Sequence, residues 1–185
     1  DKNGQLWIGT RMGLTRYDYA SDQIVRYPFP LHETPRIISI LERKNKEFLI
    51  GTSGRGLYSL VDDSLMKIPD GYTTGSGNWY FNKMIEDSKG RFWKCGYGEE
   101  VTMKDQNGVH PYFINQGVVV EMAESDGDIL IICLHGICRY HNGQMAEADI
   151  DISALGGNDV VISSAYQTKN GNIYIGTRGD GLFVL

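Results

Sequence analysis

The sequence predicts an all-β fold built from one repeated four-stranded unit, and three observations support this prediction. The first is composition, because 23 Gly and 11 Tyr in 185 residues favour tight turns and half-buried strands. The second is an apolar strand pattern that occurs five times at intervals of about 40 residues. The third is the spacing of turn residues, which divides each interval into four short strands. Together they predict β-propeller blades, whose small sheets bury their faces against each other.

The most regular element of the unit is its second strand, labelled strand b when strands a to d are counted from the ring axis outward. Strand b begins at Leu6 (LWIGT), Phe48 (FLIGT), Phe92 (FWKCG), Ile129 (ILIIC) and Ile173 (IYIGT). Two positions before it lies a hairpin turn residue: Gly4, Lys46, Gly90, Gly127 or Gly171. We expect Gly9, Gly51 and Gly176 to allow close backbone approach. We expect Trp7, Trp93 and Tyr174 to pack between blades.

The other strands follow from apolar runs around strand b. Strand a is predicted at 37–41, 81–85, 118–122 and 160–166, and strands c and d follow strand b, as at 14–17 and 24–29. The strand counts are then three, four, four, four and three. They predict about four and a half blades of a larger ring, with approximate blades 1–33, 34–77, 78–115, 116–157 and 158–185 and no second domain. The Gly-rich segment 70–78 is predicted to be an inter-blade loop.

Charge and motif patterns exclude several classes of function. Eighteen basic and 23 acidic side chains, scattered along the chain, give a net charge of −5 and no nucleic-acid footprint. No apolar run is long enough to span a membrane. Cys133, His135, Cys138 and His141 are zinc-ligand residue types, but their spacing is poor and both cysteines fall within strands. We therefore predict no metal and no cofactor, and expect the cysteines to pack between blades. Whether Cys133 and Cys138 pair stays open.

The first and last units, DKNGQLWIGTRMGLTRYD and KNGNIYIGTRGDGLFVL, resemble the two-component regulator propeller repeat. That pattern is a D-x-x-G turn, L-W-I-G-T, a short loop, G-L and an aromatic residue. The resemblance is strong in repeats one, two and five. It is weaker in repeats three and four, where Cys95 and Ile132 replace the IGT glycine.

The resemblance implies a periplasmic sensor region of a Bacteroidetes-type hybrid histidine kinase. In that family two seven-bladed propellers precede an immunoglobulin-like domain and a membrane helix, and the cytoplasmic part carries the kinase, receiver and DNA-binding domains of the phosphorelay. The resemblance also implies recognition of oligosaccharides released from polysaccharides. The implied partners of this segment are that ligand, the remaining blades, the neighbouring domains and a second copy in a homodimer. Contact with the membrane is implied only through the parent chain.

The candidate binding residues lie in the b–c and d–a loops, which emerge on one face of a propeller. Arginine recurs in three b–c loops, and its planar fork suits carboxylate or sulfate groups. Loop aromatic residues suit sugar rings. The predicted site is Arg11, Arg36, Arg55, Trp79, Tyr97, Glu99, His135, Arg178 and Asp180. An alternative is that the arginines pair with Asp180, Glu99 or backbone carbonyls and hold blades together.

Three classes of function remain at this point. Propeller lyases and hydrolases build sites from His, Tyr and carboxylates in the same loops, but the chain has no nucleophile motif or paired metal-ligand pattern. A sensor needs only different affinities for a ligand in two receptor states. A scaffold or dimer surface needs no ligand at all. We expect a non-catalytic ligand sensor, with the scaffold as the alternative and the enzyme as the weakest of the three.

Overall fold

The computed structural model describes residues 1–30, 35–69, 71–72, 80–148, 150 and 160–185. These residues form five antiparallel sheets, here called blades 1 to 5. The strands are, by blade, β1 (Leu6–Thr10), β2 (Gly13–Asp18) and β3 (Gln23–Tyr27); β4 (Ile37–Glu42), β5 (Phe48–Thr52), β6 (Leu57–Val61) and β7 (Ser64–Lys67); β8 (Lys83–Glu86), β9 (Phe92–Cys95), β10 (Glu100–Asp105) and β11 (Gly108–Phe113); β12 (Val119–Ser125), β13 (Asp128–Cys133), β14 (Ile137–His141) and β15 (Gln144–Glu147); β16 (Ile162–Gln167), β17 (Ile173–Thr177) and β18 (Leu182–Val184).

Each blade is a meander in which strands adjacent in sequence are hydrogen-bonded neighbours. The described strands number three, four, four, four and three, so the all-β fold and the strand arrangement predicted from the repeats are confirmed. Several predicted boundaries differ by one to three residues; for example, the strand predicted at 160–166 begins at Ile162, and the strand predicted at 81–85 begins at Lys83. Its expected first residue, Phe81, instead donates its backbone N–H to the Thr52 carbonyl of the preceding blade at 3.3 Å.

The apolar core lies between the blades rather than at the centre of the ring. Alternate residues of strand b face opposite neighbours, so Leu49 packs towards blade 3 while Ile50 packs towards blade 1. The same alternation sends Phe92 towards blade 2 and Trp93 towards blade 4. Four clusters of buried side chains, one at each junction, hold the five sheets together.

The two outer sheet faces expose apolar residues that have buried counterparts elsewhere. In blade 1, Leu6 and Ile8 are 45% and 42% exposed, whereas Ile129 and Ile131 at the same repeat positions of blade 4 are fully buried. The outer face of blade 5 likewise exposes Leu182. An isolated blade therefore leaves one face uncovered, as expected for a unit that is stabilised by stacking.

The a–b turns at one end of the blades, which we call the turn face, explain the D-x-x-G motif. Asp87 is fully buried, and one of its carboxylate oxygens accepts the backbone N–H groups of Lys89 and Arg91 at 3.0 and 2.8 Å. The other accepts the Trp93 indole N–H at 2.8 Å and the Arg91 Nε–H at 2.5 Å. This single carboxylate therefore closes the turn and orients an aromatic residue of the core.

The first repeat has the same arrangement. The Asp1 carboxylate accepts the N–H groups of Asn3 and Gln5 at 3.0 and 2.7 Å and the Trp7 indole N–H at 2.8 Å. In the second repeat the hairpin position normally held by glycine is Lys46, whose φ of 68° lies in the left-handed region. The turn geometry is thus kept even where the side chain is not glycine.

A second set of carboxylates joins each turn to the next blade. Glu42 and Glu86 end the strands a of blades 2 and 3, and Glu124 is the last residue but one of strand a in blade 4. Each accepts a backbone N–H from the preceding a–b turn, donated by Lys2, Lys44 and Ser88 at 2.7, 2.6 and 2.7 Å. In blade 5 the equivalent residue is Gln167, which donates its side-chain N–H to the Glu124 carbonyl at 2.7 Å. We call this series the inter-blade clasp.

Candidate ligand-binding site

The b–c loops and the ends of the d–a connections meet at the opposite end of the blades, which we call the loop face. Backbone hydrogen bonds join them: Ser53 N–H to the Arg36 carbonyl at 2.9 Å, and Arg178 N–H to the Val161 carbonyl at 2.9 Å. The predicted grouping of these loops on one face agrees with the described strand order. The loop face is therefore the place to look for the predicted site.

The threonine of the IGT motif holds each b–c loop closed. In blades 1, 2 and 5, the hydroxyls of Thr10, Thr52 and Thr177 donate to the carbonyls of Gly13, Gly56 and Gly181, at 2.9, 2.5 and 3.1 Å. In blade 1 the Thr10 hydroxyl also accepts the Met12 N–H at 3.0 Å. The loops that carry Arg11, Arg55 and Arg178 are thus fixed by hydrogen bonds, which preorganises the side chains they display.

The close approach predicted for the IGT glycine is confirmed at Gly51. A Cβ atom built on Gly51 would lie 2.6 Å from Cβ of Phe81 and 2.7 Å from the Phe81 carbonyl oxygen. A Cβ on Gly9 would collide with Ile37 of blade 2. Blade-to-blade contact just below the loop face therefore requires a residue without a side chain.

Two of the predicted arginines line a single cavity. Arg11, Met12, Arg36 and Ser53 surround an open space of about 570 Å³ between blades 1 and 2. Both arginines are exposed, and neither makes an ion pair with any residue in the described part of the chain. The cavity is therefore bordered by two exposed guanidinium groups that no described carboxylate occupies.

Tyrosines form the next feature of the loop face, between blades 2 and 3. Tyr97 is 55% exposed and packs edge-to-face on Tyr80, with ring centres 5.0 Å apart. Tyr80 in turn lies against Gly54, where an added Cβ would come within 3.3 Å of the tyrosine ring. Because Ser53 lines the arginine cavity, the tyrosine pair continues the same surface. The sequence analysis did not include Tyr80 in the predicted site. Its position in a d–a connection, directly before the strand predicted at 81–85, could have indicated it.

The remaining predicted residues are spread over blades 2 to 5. Arg55, Glu99, His135, Arg178 and Asp180 are exposed on the loop face. The Glu99 carboxylate accepts the Gly117 N–H at 3.2 Å, joining the loops of blades 3 and 4. Within the described residues neither Arg55 nor Arg178 pairs with Asp180 or Glu99. Trp79 lies outside the described residues, so the structure gives no position for its side chain.

The cysteines are buried free thiols that occupy blade-packing positions. Cys133 and Cys138 lie on the same face of the β13–β14 hairpin in diagonal register, since Cys138 is opposite Ile131. A hydrogen bond between the two thiols raises the pKa of Cys133 and lowers the pKa of Cys138. Burial raises the pKa of Cys95 to about 12, so this thiol stays protonated. No three His, Cys, Asp or Glu side chains of the described segments are grouped to hold a metal ion.

A buried lysine replaces isoleucine at one repeat position. Lys94 is 1% exposed and occupies the third position of strand b, where the other four blades have Ile8, Ile50, Ile131 and Ile175. Its ammonium group lies 5.1 Å from the centre of the Phe81 ring, and burial lowers its pKa. The polar residue in an apolar pattern was visible in the sequence, but its burial was not.

The turn face has a cavity of similar size, about 560 Å³, lined in part by Arg43, Tyr72 and Lys104. Two of its cationic groups, Arg43 and Lys104, are already engaged, whereas Lys89 is exposed. Arg43 contacts the carboxylates of Glu47 and Glu86 at 3.1 and 2.9 Å. Lys104 donates to the Gly71 carbonyl at 2.6 Å and lies 4.0 Å from the Tyr72 ring centre. These contacts join neighbouring elements, so this cavity is a weaker candidate for a ligand.

The architecture defines the class: a run of β-propeller blades with short, fixed loops on one face. Residues 155–179 match the model of a family described as Two component regulator propeller, and the predicted resemblance to that repeat is confirmed for this segment. No curated protein sequence matches the chain. No helix in the described portion is long and apolar enough to cross a membrane.

Solved structures with the same fold include the extracellular domains of putative one- and two-component systems. The chain is similar to the extracellular domain of the putative one component system BT4673 from B. thetaiotaomicron, at 22% identity and a TM-score of 0.75 over 97% of this chain and 25% of that one. The values for the putative hybrid two component system BT3049 of the same organism are 19%, 0.68, 97% and 25%. XC5397 from Xanthomonas campestris, a gluconolactonase, is 14% identical with a TM-score of 0.63, covering 100% and 69%. The chain spans about a quarter of the two ectodomains.

Proposed function

We propose that the chain is part of the ligand-sensing propeller of a periplasmic two-component receptor and binds oligosaccharides released from polysaccharides, without catalysing a reaction on them. The propeller-repeat match and the shared fold of sensor ectodomains support the receptor class. The observation that carries the binding role is the loop face. It combines hydrogen-bonded loops, arginines without ion-pair partners in the described residues, and an exposed tyrosine pair.

Sensing requires no chemistry from this surface, only preferential binding in one receptor state. A fixed surface loses little conformational entropy when a ligand binds, and tyrosine offers both an apolar ring and a hydroxyl to a sugar. The described loops hold neither a nucleophile activated by a neighbouring base nor a group of three metal-ligand side chains, so no such arrangement favours the enzyme alternative. The fold shared with a gluconolactonase therefore adds no catalytic group to this chain.

The exposed faces of blades 1 and 5 support a larger ring. Leu6, Ile8 and Leu182 occupy positions that pack against a neighbouring blade elsewhere in the chain. We propose that further blades cover these faces in the parent protein and complete a propeller of seven blades in total. Binding experiments should therefore use the intact extracytoplasmic region that carries this chain, because a five-blade piece would expose both apolar faces to aggregation.

The test is isothermal titration of that intact region against neutral, uronic and sulfated oligosaccharides. We expect saturable binding to at least one class, weakened about two- to tenfold by Tyr97→Ala through loss of ring stacking. Tyr19→Ala is the matched control, because Tyr19 is equally exposed and also packs edge-to-face on a tyrosine, but lies in the c–d turn of blade 1. A folded protein that binds none of the sugars would reject the proposal in favour of a scaffold.

A further inference from the structure

The cavity between blades 1 and 2 has an unusual charge for this protein. The chain carries a net charge of −5, yet Arg11 and Arg36 border one cavity whose other described lining residues are Met12 and Ser53. Among the residues that the structure describes, the lining therefore has two positive charges and no carboxylate. Like charges at one site repel each other, and an anion between them would remove that repulsion.

The contrast with the turn-face cavity shows that this charge is not a general property of the fold. There, the Arg43 guanidinium already meets two carboxylates within 3.1 Å, and the Lys104 ammonium meets a carbonyl oxygen. At the loop-face cavity, no acidic residue in the described ranges lies within ion-pair distance of Arg11 or Arg36. No described carboxylate therefore competes with an external acceptor for its donors.

Both arginines extend from backbone that is held in place. The Ser53 N–H donates to the Arg36 carbonyl at 2.9 Å, which ties the d–a connection to the b–c loop of blade 2. The Thr10 hydroxyl donates to Gly13 and accepts from Met12, which fixes the loop carrying Arg11. The backbone that carries the two guanidinium groups is thus held in place, which limits the conformational entropy lost on binding.

We propose that this cavity is an oxyanion subsite that selects oligosaccharides carrying a carboxylate or sulfate group. Arg11 and Arg36 donate to the oxyanion, and Ser53 is available as a third donor. The neutral part of the sugar extends past Gly54 to the Tyr80–Tyr97 pair, which continues the same surface. The inference rests on the proposed sensor function and deepens it, because it assigns the selection of acidic over neutral ligands to two named side chains.

The test compares three oligosaccharides of equal length, one neutral, one with a uronate and one with a sulfate, by isothermal titration of the intact extracytoplasmic region. We expect the acidic ligand to bind at least about tenfold tighter than the neutral one, as charged hydrogen bonds would provide. In the Arg11→Ala/Arg36→Ala variant the preference should fall below about twofold, because the acidic ligand loses much more affinity than the neutral one. The uronate and sulfate arms identify the oxyanion.

Two further variants separate specific recognition from general charge. Arg11→Lys/Arg36→Lys keeps both charges but loses the planar guanidinium fork. Compared with the double alanine variant, it should restore less than half of the lost preference for the acidic ligand, measured as the logarithm of the affinity ratio. Arg26→Ala removes an exposed arginine from strand d of the same blade and should leave the preference intact. Unfolding curves of each variant confirm that the fold persists.

The outcomes distinguish the oxyanion subsite from the sensor function on which it rests. Equal binding of neutral and acidic sugars by the unaltered protein would overturn the oxyanion subsite and leave the sensor function standing. An acidic preference that survives in the double alanine variant would overturn it too. No binding of any of the three sugars would overturn both.

Discussion

The two faces of the propeller use charged residues in different ways. On the turn face, carboxylates at successive a–b turns and strand ends accept hydrogen bonds from neighbouring turns and blades, as Asp87 and Glu86 do. On the loop face, Arg11, Arg36, Arg55 and Arg178 are exposed and make no ion pair with the described residues. The comparison indicates that stability is concentrated at one end of the blades and recognition at the other.

Burial explains why the division is energetic as well as geometric. Asp87 has no exposed surface, and its removal would leave the buried Trp93 indole N–H without its acceptor. Glu86 has a side-chain exposure of only 8%, and its removal would take an acceptor from both the Arg43 guanidinium and the Lys44 N–H. The loop-face arginines are exposed to water, and their removal leaves no described carboxylate without an ion-pair partner. Substitutions on the turn face should therefore lower stability, whereas those on the loop face should change binding.

The largest effect is expected for Asp87→Ala. The change removes the acceptor for the Trp93 indole and for two backbone N–H groups, and leaves the Arg91 guanidinium beside an apolar core. Breaking a buried charged pair of this kind costs about 3–5 kcal/mol in free energy of unfolding. Chemical denaturation monitored by Trp fluorescence measures it.

Asp180→Ala is the matched loop-face control for that experiment, because Asp180 is exposed and lies in a b–c loop. We expect a change within about 0.5 kcal/mol. If both aspartate variants were destabilised equally, the conclusion that stability is concentrated on the turn face would be wrong.

The next effect concerns the layer directly beneath the loop face. Gly51→Ala places a methyl group 2.6 Å from Phe81 Cβ, so blades 2 and 3 must separate, at a cost of about 1–3 kcal/mol. Gly98→Ala is the control, because no atom lies within 4 Å of the added methyl and its φ is not in the left-handed region. Thermal unfolding of the two variants should differ clearly; equal midpoints would show that the blade junction can relax around Gly51.

A smaller effect is expected for Thr52→Val, which keeps the side-chain shape and removes the hydroxyl that closes the b–c loop at 2.5 Å. Because Thr52 is buried, the loss should be about 0.5–1.5 kcal/mol. The equivalent Thr177→Val should cost less, since that hydrogen bond is exposed. The amide hydrogen-exchange rate around Gly56 measures the opening of this loop directly. An unchanged rate in Thr52→Val would mean that the threonine hydroxyl does not hold the loop in place.

The repeat pattern was sufficient to predict the strands because blade packing imposes the same constraint five times. Leu49 and Leu130 occupy the same repeat position and bury the same face of strand b. The repeated spacing of such apolar residues is therefore enough to predict the fold. The roles of Asp1 and Asp87 could not be read in the same way. A D-x-x-G turn predicts a local hydrogen bond, but the indole contact six residues later depends on how the turn folds back over the strand.

The candidate site was predictable only at the level of loops. Connectivity places b–c and d–a loops on one face, so Arg11 and Arg36 could be grouped in advance, and the structure brings them to one cavity. Sequence could not show that the arginines lack ion-pair partners in the described residues, because that depends on side-chain positions in neighbouring blades. Tyr80 was missed for the same reason, as its value comes from contact with Tyr97.

The smallest expected effect is the most informative about the comparison of the two faces. Arg11→Ala/Arg36→Ala should change the free energy of unfolding by less than about 0.5 kcal/mol, because both side chains are exposed and no described carboxylate pairs with them. Any shift should be towards higher stability at low ionic strength, since two like charges at one cavity are removed, and it should vanish in 0.5 M salt, where the Debye length is only ~4 Å. Denaturation curves at both salt concentrations measure it. A loss of 2 kcal/mol or more would be on the order of a broken buried ion pair. It would mean that these arginines hold the blades together, which is the alternative interpretation of the sequence. The loop face would then contribute to stability and would not be a separate recognition surface.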